Sequence, residues 1–367
     1  MLPKIFESIA DHRVTGRCTY VLNELLTIAL LTYICNGEDY TDMAEFAELR
    51  ARDFGLLLEN ETSPSPDTFE RLMAAVNPLE IERCLIESGK QFLSSLAEKQ
   101  IVIDGKKLRG ANPTAKGTNG DYILNAFISE NHLLIGQVAL KDKENEIPAY
   151  QTMLDKLDIS EAIVSIDVMG CQVAVAEKIR EKDGHYFLAV KDNQKLLHDA
   201  IIDAFKLNPA IDTATEMESD HGRIETRTCR ILLADKIWDE EVKSKWKDLT
   251  TIIELESEVT QKKTGETTVS KRYYISDEYF PKAAYYNMLA RGHWSIENLL
   301  HWHLDVTFLE DASRVRKGNA AQNLSLIRKL ALQVVKNYND KRSVKKRLFR
   351  ASLNREYVID MVMAYKF

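Results

Sequence analysis

Two short apolar runs in this chain each end in an aspartate: IVID at residues 101–104 and IVSID at residues 163–167. Runs of this length that are rich in β-branched residues predict buried strands, with Asp104 and Asp167 as their last residues. Burying an uncompensated carboxylate costs several kcal/mol or more, so a buried strand rarely ends in one without a positive partner. A pair of divalent cations is the simplest partner for these two side chains.

The sequence around these two runs predicts a ribonuclease-H-like core. Between and after them lie segments with the spacing of a β-hairpin, two helices and a further core strand. In chain order these segments are residues 122–128 and 133–140 (hairpin), 147–157 (helix), 172–182 (helix) and 185–190 (strand). The order strand, hairpin, helix, strand, helix, strand puts the two aspartate-bearing strands side by side. The predicted fold class is therefore α/β, with a mixed sheet flanked by helices.

Outside this core the sequence predicts a helical N-terminal region and a β-rich insertion. Helix starts are indicated at Asn23 and at Ser65-Pro66, where proline suits the first helical position. Segments 223–233, 249–259 and 270–275 are rich in residues that favour strands. The predicted parts are an N-terminal helical, DNA-binding domain (1–98), the first part of the catalytic core (99–195), the β-rich insertion (196–280), the second part of the core carrying the third acid (281–340) and a basic C-terminal region (341–367).

The expected third acid is Glu297, in the helix predicted for residues 281–305. At four-residue spacing, Glu297, His301 and Asp305 project from one face of that helix. A neighbouring apolar stripe can dock the helix on the sheet; it consists of Leu289, Ile296, Leu300 and Leu304. A long carboxylate beside that stripe can reach the ends of two strands. Other acids close by stay open as the third ligand, and these are Asp311, Asp305 and Glu310.

Three carboxylates on two strands and a helix suit metal-dependent chemistry on phosphodiesters. Cleavage needs an activated water or 3′-hydroxyl in line with the leaving oxygen, and two divalent ions can stabilise both oxygens. Hard oxygen ligands favour Mg²⁺ or Mn²⁺, which need few protein carboxylates because they keep several waters. The predicted cofactor is therefore two Mg²⁺ (or Mn²⁺) ions held by Asp104, Asp167 and Glu297.

Two other interpretations of the same residues stay open. Each acid taken singly could instead pair with a nearby cation, and the cations are Lys106, Lys107 and Arg109. Alternatively, a transition metal could bind on one helix face through His293, Glu297 and His301. That second interpretation lacks an HExxH pattern and leaves Asp104 and Asp167 without a role.

Composition and charge bound the class of protein. The chain has 367 residues, 45% of them apolar and 29% charged, which is typical of folded globular domains. Five scattered cysteines without a CxxC pair, and no apolar run long enough to span a bilayer, favour the cytoplasm and no membrane. The net charge of −7 opposes DNA binding, but after residue 312 basic residues far outnumber acidic ones, which favours contact with a phosphate backbone.

Six separated motifs, in order, resemble those of DDE transposases of bacterial insertion sequences, in the group containing the H-repeat-associated proteins of Rhs elements. The motifs are IDGKKLRG (103–110), KENEI (143–147), DVMGCQ (167–172), YFLAVKDNQ (186–194), HGRIE (221–225) and RGHWSIENLLHWHLD (291–305) followed by FLED (308–311). The N-terminal stretches DHR (11–13) and SPDTFER (65–71) resemble the helical region that precedes the catalytic domain in that group. The resemblance covers nearly the whole chain.

This resemblance implies a catalytic, metal-binding triad of Asp104, Asp167 and Glu297. It also implies that Arg291 handles phosphate near the active site, where a guanidinium can grip two oxygens. Further DNA contacts are implied or possible at Lys106, Arg109, Lys191, His221, Arg223 and, by stacking on an extruded base, Trp294 and Trp302. The expected reaction is nicking at the inverted-repeat ends of the element, followed by attack of the 3′-hydroxyls on target DNA.

The expected partners are the element ends and target DNA, with the protein as a dimer on DNA in the bacterial cytoplasm, associated with the nucleoid. A different class stays open: a catalytically silent or domesticated relative that binds DNA without cutting it. The intact set of three acids favours the active enzyme. The end sequence, the target preference and the use of a hairpin intermediate do not follow from these residues.

Overall fold

A computed structural model describes residues 5–365 except 12, 14, 94, 112–121, 141–145 and 221. The chain divides into two compact units. The first comprises residues 1–94, 105–143 and 297–367, and the second comprises 95–104 and 144–296. The chain passes between the units four times, after residues 94, 104, 143 and 296. The bounds of these units differ from the predicted domain bounds, which stay a prediction.

Helices and strands alternate along the described chain. The helices are α1 (Leu22–Ile34), α2 (Tyr40–Leu49), α3 (Pro66–Ala75), α4 (Pro78–Gly89), α5 (Glu146–Lys156), α6 (Val173–Glu181), α7 (Lys195–Leu207), α8 (Glu240–Ser244), α9 (Ala283–Ile296), α10 (Ala320–Asn337), α11 (Val344–Leu353) and α12 (Arg355–Ala364). The strands are β1 (Gln100–Lys107), β2 (Tyr122–Ile128), β3 (Leu133–Leu140), β4 (Ile163–Ile166), β5 (His185–Val190), β6 (Asp212–Asp220), β7 (Arg223–Leu233), β8 (Thr251–Gln261) and β9 (Thr267–Ser276).

The first unit is mainly helical, and α10 is its central helix. Almost every residue of α10 from Ala320 to Val335 is buried, and the helix packs against α1, α3, α4 and β3. Helix α1 is also buried nearly throughout. A helix that is apolar around its circumference belongs in the middle of a core. The β2–β3 hairpin pairs antiparallel in this unit, with an irregularity between Ala126 and Phe127.

The second unit holds the strands predicted for the core and those predicted for the β-rich insertion. Strands β1, β4 and β5 are parallel neighbours, and β9, β8, β7 and β6 follow in antiparallel order. The strand order continues from β1 to β2 and β3. A hairpin on one side of β1 and parallel β4 and β5 on the other is the strand arrangement expected of a ribonuclease-H-like core. The predicted mixed sheet flanked by helices, with a helical N-terminal region, is confirmed.

The segment predicted as a β-rich insertion contains one strand that the sequence did not predict. Strand β7 has the predicted bounds, and β8 and β9 overlap the predicted segments. Strand β6, with the sequence DTATEMESD, was missed because its polar residues lack an apolar alternation and most of it is exposed. It forms because β7 offers a full antiparallel partner from Asp212↔Ile231 to Asp220↔Arg223.

Two predicted helix starts have different outcomes. Helix α3 begins at Pro66, as predicted. Helix α1 begins at Leu22, so Asn23 lies inside its first turn, and its Oδ1 accepts from the Phe6 N–H at 3.3 Å instead of capping. Within the described residues, no helix is both long enough and apolar enough to span a membrane.

Candidate active site

Asp104 and Asp167 lie at the same level on neighbouring parallel strands of the second unit. Ile103 pairs with Ile166, so the next residue on each chain is an aspartate. Asp167 was predicted as the last residue of its strand, and it directly follows β4, which ends at Ile166. Asp104 does not end its strand, since β1 continues to Lys107. That part of the prediction is wrong, because the polar run after Asp104 pairs as strand without the apolar signal that marks its start. Both aspartates are half-buried.

One carboxylate oxygen of Asp167 is fixed by three donors. Oδ1 accepts from the Tyr150 hydroxyl at 3.2 Å, from the Met169 N–H at 3.2 Å and from the Gly170 N–H at 3.4 Å. All three described bonds go to Oδ1, so they orient the carboxylate while none of them occupies Oδ2. No local sequence pattern indicates Tyr150, because it comes from the middle of α5 and its role depends on tertiary packing.

The turn after Asp167 requires a glycine at position 170, because this residue lies close to Ile166 and Tyr150. A Cβ there would lie 2.1 Å from Ile166 Cγ2 and 2.9 Å from Tyr150 Cζ. Any side chain would therefore displace the ring whose hydroxyl holds Asp167.

A network of hydrogen bonds joins helix α9 to β1 and β4, at strand residues that precede the two aspartates. Gln100 Nε2 donates to Ser165 Oγ at 3.0 Å and to the Leu289 carbonyl at 2.7 Å. Ser165 Oγ lies 3.2 Å from His293 Nδ1. Ser165 Oγ therefore accepts from Gln100 and also lies within hydrogen-bond distance of His293, so it links α9 to both strands.

Close approach of α9 to β1 requires Gly292, and Gly292→Ala is expected to destabilise the protein. A Cβ at this position would lie 2.0 Å from Gln100 Oε1, and Gln100 cannot swing away without losing its bonds to Ser165 and Leu289. Overpacking of this kind costs about 1–3 kcal/mol. Urea unfolding would measure the loss. Gly265→Ala cannot serve as the control, because the positive φ of Gly265 would strain an alanine there.

The matched control for this variant is Ala284→Gly, also on α9, which removes a methyl group and tests helix propensity alone. An unfolding free energy of Gly292→Ala equal to that of the unmodified protein would show that α9 does not depend on this contact.

In the first unit the helical run beyond α9 widens into π-helical turns at Glu297–His301 and His303–Thr307. The sequence predicted a regular α-helix to residue 305, and the structure differs because two successive stretches adopt i→i+5 bonding. Such π-helical turns are frequent at functional sites. Glu297 is exposed, and its Oε2 lies 3.6 Å from Nδ1 of the buried His301. Glu297 and His301 therefore bring one oxygen and one nitrogen close together, both of them atoms that can bind a metal ion.

The neighbouring acids surround a buried lysine. Lys106 Nζ lies 2.6 Å from Asp305 Oδ1, 3.0 Å from Glu310 Oε2 and 3.4 Å from Asp311 Oδ1. We call these four residues, Lys106, Asp305, Glu310 and Asp311, the Lys106 cluster. Its three acids are the ones that the sequence left open as the third ligand. All three contact Lys106, and Glu297 stays the predicted third acid.

The titration of the Lys106 cluster follows from burial and charge. Burial alone would lower the pKa of Lys106, but the charge of Glu310 and the bond to Asp305 outweigh it and raise that pKa. Burial would raise the pKa of Glu310, yet the charges of Lys106, Lys329 and Arg328 lower it. The pKa of Asp305 is raised by burial despite Lys106. At neutral pH Lys106 and Glu310 therefore form a buried ion pair.

The predicted DNA contacts differ in their surroundings. Lys106 is only 7% exposed, and its ammonium would have to leave the acidic cluster before it could contact an outside phosphate. Arg109 is largely exposed at 3.6 Å from Asp311. Arg223 is half-exposed, 4.0 Å from Glu225, and Lys191 is exposed. His221 lies outside the described residues.

Arg291 and Trp294 both lie on α9, each beside a charged partner from the insertion. Arg291 Nη1 lies 2.6 Å from Glu218 Oε2 on β6, and this bond lowers the pKa of Glu218. The Arg272 guanidinium of β9 lies 4.5 Å from the centroid of the Trp294 ring, which is half-exposed. Trp302 is also about half-exposed. Arg291 would have to leave Glu218 before its two terminal nitrogens could bind a phosphate together.

Two known protein families match this chain. The family described as "Transposase DDE domain" matches residues 96–334, and the family described as "DDE_Tnp_1-associated" matches residues 4–87. The chain therefore belongs to the DDE transposase family, and the resemblance seen in its motifs is confirmed.

Two curated relatives extend over nearly the full chain. The chain is 32% identical to the H repeat-associated putative transposase YhhI of Escherichia coli strain K12, over 98% of each protein. It is also 32% identical to the putative transposase YncI of Escherichia coli O157:H7, over 96% of this chain and 92% of that protein. A cryo-EM structure of the piggyBac transposase synaptic complex with hairpin DNA matches with a TM-score of 0.44 at 12% identity, covering 99% of this chain and 79% of that one. That similarity is too low to inform fold or function.

Proposed function

We propose that this insertion-sequence transposase nicks the ends of its element and joins the freed 3′-hydroxyls to target DNA by direct attack, without a covalent protein intermediate. The observation that carries the proposal is the pair Asp104 and Asp167, side by side on parallel β1 and β4. Family membership supports it independently. The reaction belongs in the bacterial cytoplasm, where the protein would be associated with the nucleoid when bound to DNA.

The residues that would hold the metal are Asp104, Asp167 and Glu297. Their oxygens fit Mg²⁺ or Mn²⁺, and Asp167 has one oxygen, Oδ2, that its three described hydrogen bonds leave unused. Two such ions, when bound, supply charge stabilisation for the attacking and leaving oxygens of an in-line displacement.

The protein's own contribution to the reaction is orientation. Tyr150 and the two turn amides hold Asp167 in one rotamer, which reduces the reorganisation needed when substrate arrives. Arg291, once released from Glu218, would offer paired N–H donors to a phosphate. Arg109, Lys191 and Arg223 would make further contacts to the DNA ends, and Trp294 would stack on an extruded base. Synapsis of two ends implies a dimer on DNA.

A nicking assay on duplexes that carry the inverted repeats flanking the gene tests this function. We expect cleavage at the repeat boundary only with Mg²⁺ or Mn²⁺, with full loss on adding EDTA and recovery on restoring the metal. The product strand should carry a 3′-hydroxyl, which extension by a polymerase would detect. Sequence-specific binding to the repeats with no cleavage under any metal would instead identify a DNA-binding relative that does not cut.

A further inference from the structure

Helix α11 in the first unit has one buried face and one exposed face of unusual composition. Val344, Leu348 and Ala351 are buried, and the helix packs against α1, α10 and α12. The exposed residues, which we call the α11 outer face, are Lys345, Lys346, Phe349, Arg350 and Leu353. None of them is acidic.

The arrangement of this face is regular. At about 100° per residue, the five side chains span an arc of about 140°, with Phe349 and Leu353 inside it and cations at both borders. Phe349 is 62% exposed and Leu353 is 71% exposed. Two large apolar side chains are therefore held in solvent between three positive charges.

The other basic side chains near α11 have structural roles. Arg347 donates to the carbonyls of Val335 and Tyr338, and Lys336 donates to the carbonyl of Leu299. Arg342 pairs with Asp340, and Arg355 pairs with Glu356.

The cations of the α11 outer face differ from these neighbours. In the described part of the chain, no ion pair involves Lys345, Lys346 or Arg350, although the Arg350 guanidinium lies 5.1 Å from the centroid of the Tyr357 ring. Their charge is therefore available to an outside anion.

We propose that the α11 outer face binds DNA, with its three cations on the phosphate backbone and Phe349 against a sugar or an unstacked base. This proposal rests on the proposed function and adds a contact surface to it. A polyanion matches the three unneutralised charges, in a chain whose net charge of −7 otherwise repels DNA. Exposed aromatic side chains among cations are the usual composition of surfaces that bind unpaired nucleotides.

A protein partner fits the same face less well. A ten-residue helix is about 15 Å long, so one face of it offers far less than the roughly 800 Å² that each partner buries in a stable protein–protein interface. Charge contacts to DNA do not need such an area, because release of counterions supplies the free energy of binding.

The test compares the salt dependence of DNA binding in the full-length protein, with EDTA present so that no cleavage occurs. The variant is K345Q/K346Q/R350Q, and the charge-matched control is K206Q/K245Q/K247Q, three exposed lysines of the second unit. Fluorescence anisotropy gives Kd between low and moderate salt. We expect the slope of log Kd against log salt to fall by about 2–3 in the α11 variant, at roughly 0.9 for each phosphate that is no longer neutralised. The control slope should match that of the unmodified protein.

Phe349→Ala gives a second readout. Removal of a stacking side chain should weaken binding roughly tenfold while leaving the slope unchanged. Thermal unfolding followed by circular dichroism would confirm that each variant is folded. Equal slopes for the α11 variant and the unmodified protein would overturn the proposal, as would an equal decrease in the control.

Two further outcomes separate this proposal from others. If sedimentation shows that the α11 variant loses a dimer present in the unmodified protein, with an unchanged slope, the face binds a second copy and the DNA proposal is wrong. If the α11 variant shows the expected decrease in slope but the unmodified protein never cleaves DNA, the α11 surface is supported and the proposed catalytic function is wrong.

Discussion

Replacement of Asp167 by Asn is expected to abolish metal-dependent cleavage of the element ends, and Asp104→Asn and Glu297→Gln should do the same. Each substitution keeps the shape of the side chain and removes the charge that would hold a divalent ion. Loss of an ion that stabilises transition-state charge is worth several kcal/mol, which corresponds to a decrease in rate of about 10³-fold or more. Single-turnover cleavage of a labelled repeat end, with enzyme in excess, measures the decrease.

The control for these variants is Asp199→Asn, an exposed acid on α7. It removes the same charge and should cleave at the rate of the unmodified protein. Asp167→Asn should also keep its fold, since an amide oxygen can still accept from Tyr150 and the two turn amides. Full activity in any one triad variant would remove that residue from the site. For Glu297→Gln, the next candidate would be Asp311.

The strands that carry the two aspartates could be predicted from the sequence because their apolar runs are short and rich in β-branched residues. Strand β4 ends at Ile166, one residue before the predicted end at Asp167, and β7 has the predicted bounds, Arg223–Leu233. In both, side-chain pattern and tertiary environment favour the same structure. The motifs favour Glu297 as the third acid, a prediction that a spacing argument alone left open among four residues.

Features created by tertiary contacts could not be predicted from local pattern. Strand β6 has no apolar alternation and forms because β7 pairs with it. The Tyr150 hydroxyl reaches Asp167 from a different element, and the π-helical turns after Ile296 interrupt a sequence with regular helical spacing. Lys106 shows the same limit. The resemblance implied a DNA contact for this lysine, two residues after Asp104, but the strand continues and buries it.

Burial of Lys106 also leads to the largest stability change that we expect. Lys106→Met should lower the free energy of unfolding by about 3–5 kcal/mol, because it leaves Glu310 buried without its ion-pair partner. Lys107→Met is the matched control, since Lys107 is the next residue of β1 and is exposed. It should change stability by less than about 0.5 kcal/mol. Urea unfolding followed by fluorescence measures both.

A second substitution separates charge from packing. If uncompensated charge causes the loss, adding Glu310→Gln to Lys106→Met should recover part of it, and a double-mutant cycle would give the coupling between the two residues. If the double variant is as unstable as the sum of the single variants, the loss arises from packing and the ion pair contributes little.

The pH dependence of this difference has a defined sign. The lowered pKa of Glu310 gives stability that is complete above its unfolded value near 4.5 and is lost as pH falls through the folded pKa. The raised pKa of Lys106 gives stability that is complete below 10.5 and is lost as pH rises through the folded pKa. Asp305 acts in the opposite sense near its unfolded value of 3.8, since burial raises its pKa and favours the protonated folded form. The difference between the unmodified protein and Lys106→Met should therefore be largest between about pH 5 and pH 10. It should shrink below pH 4, and a difference that stays constant down to pH 3 would show that Glu310 is not ionised in the folded protein.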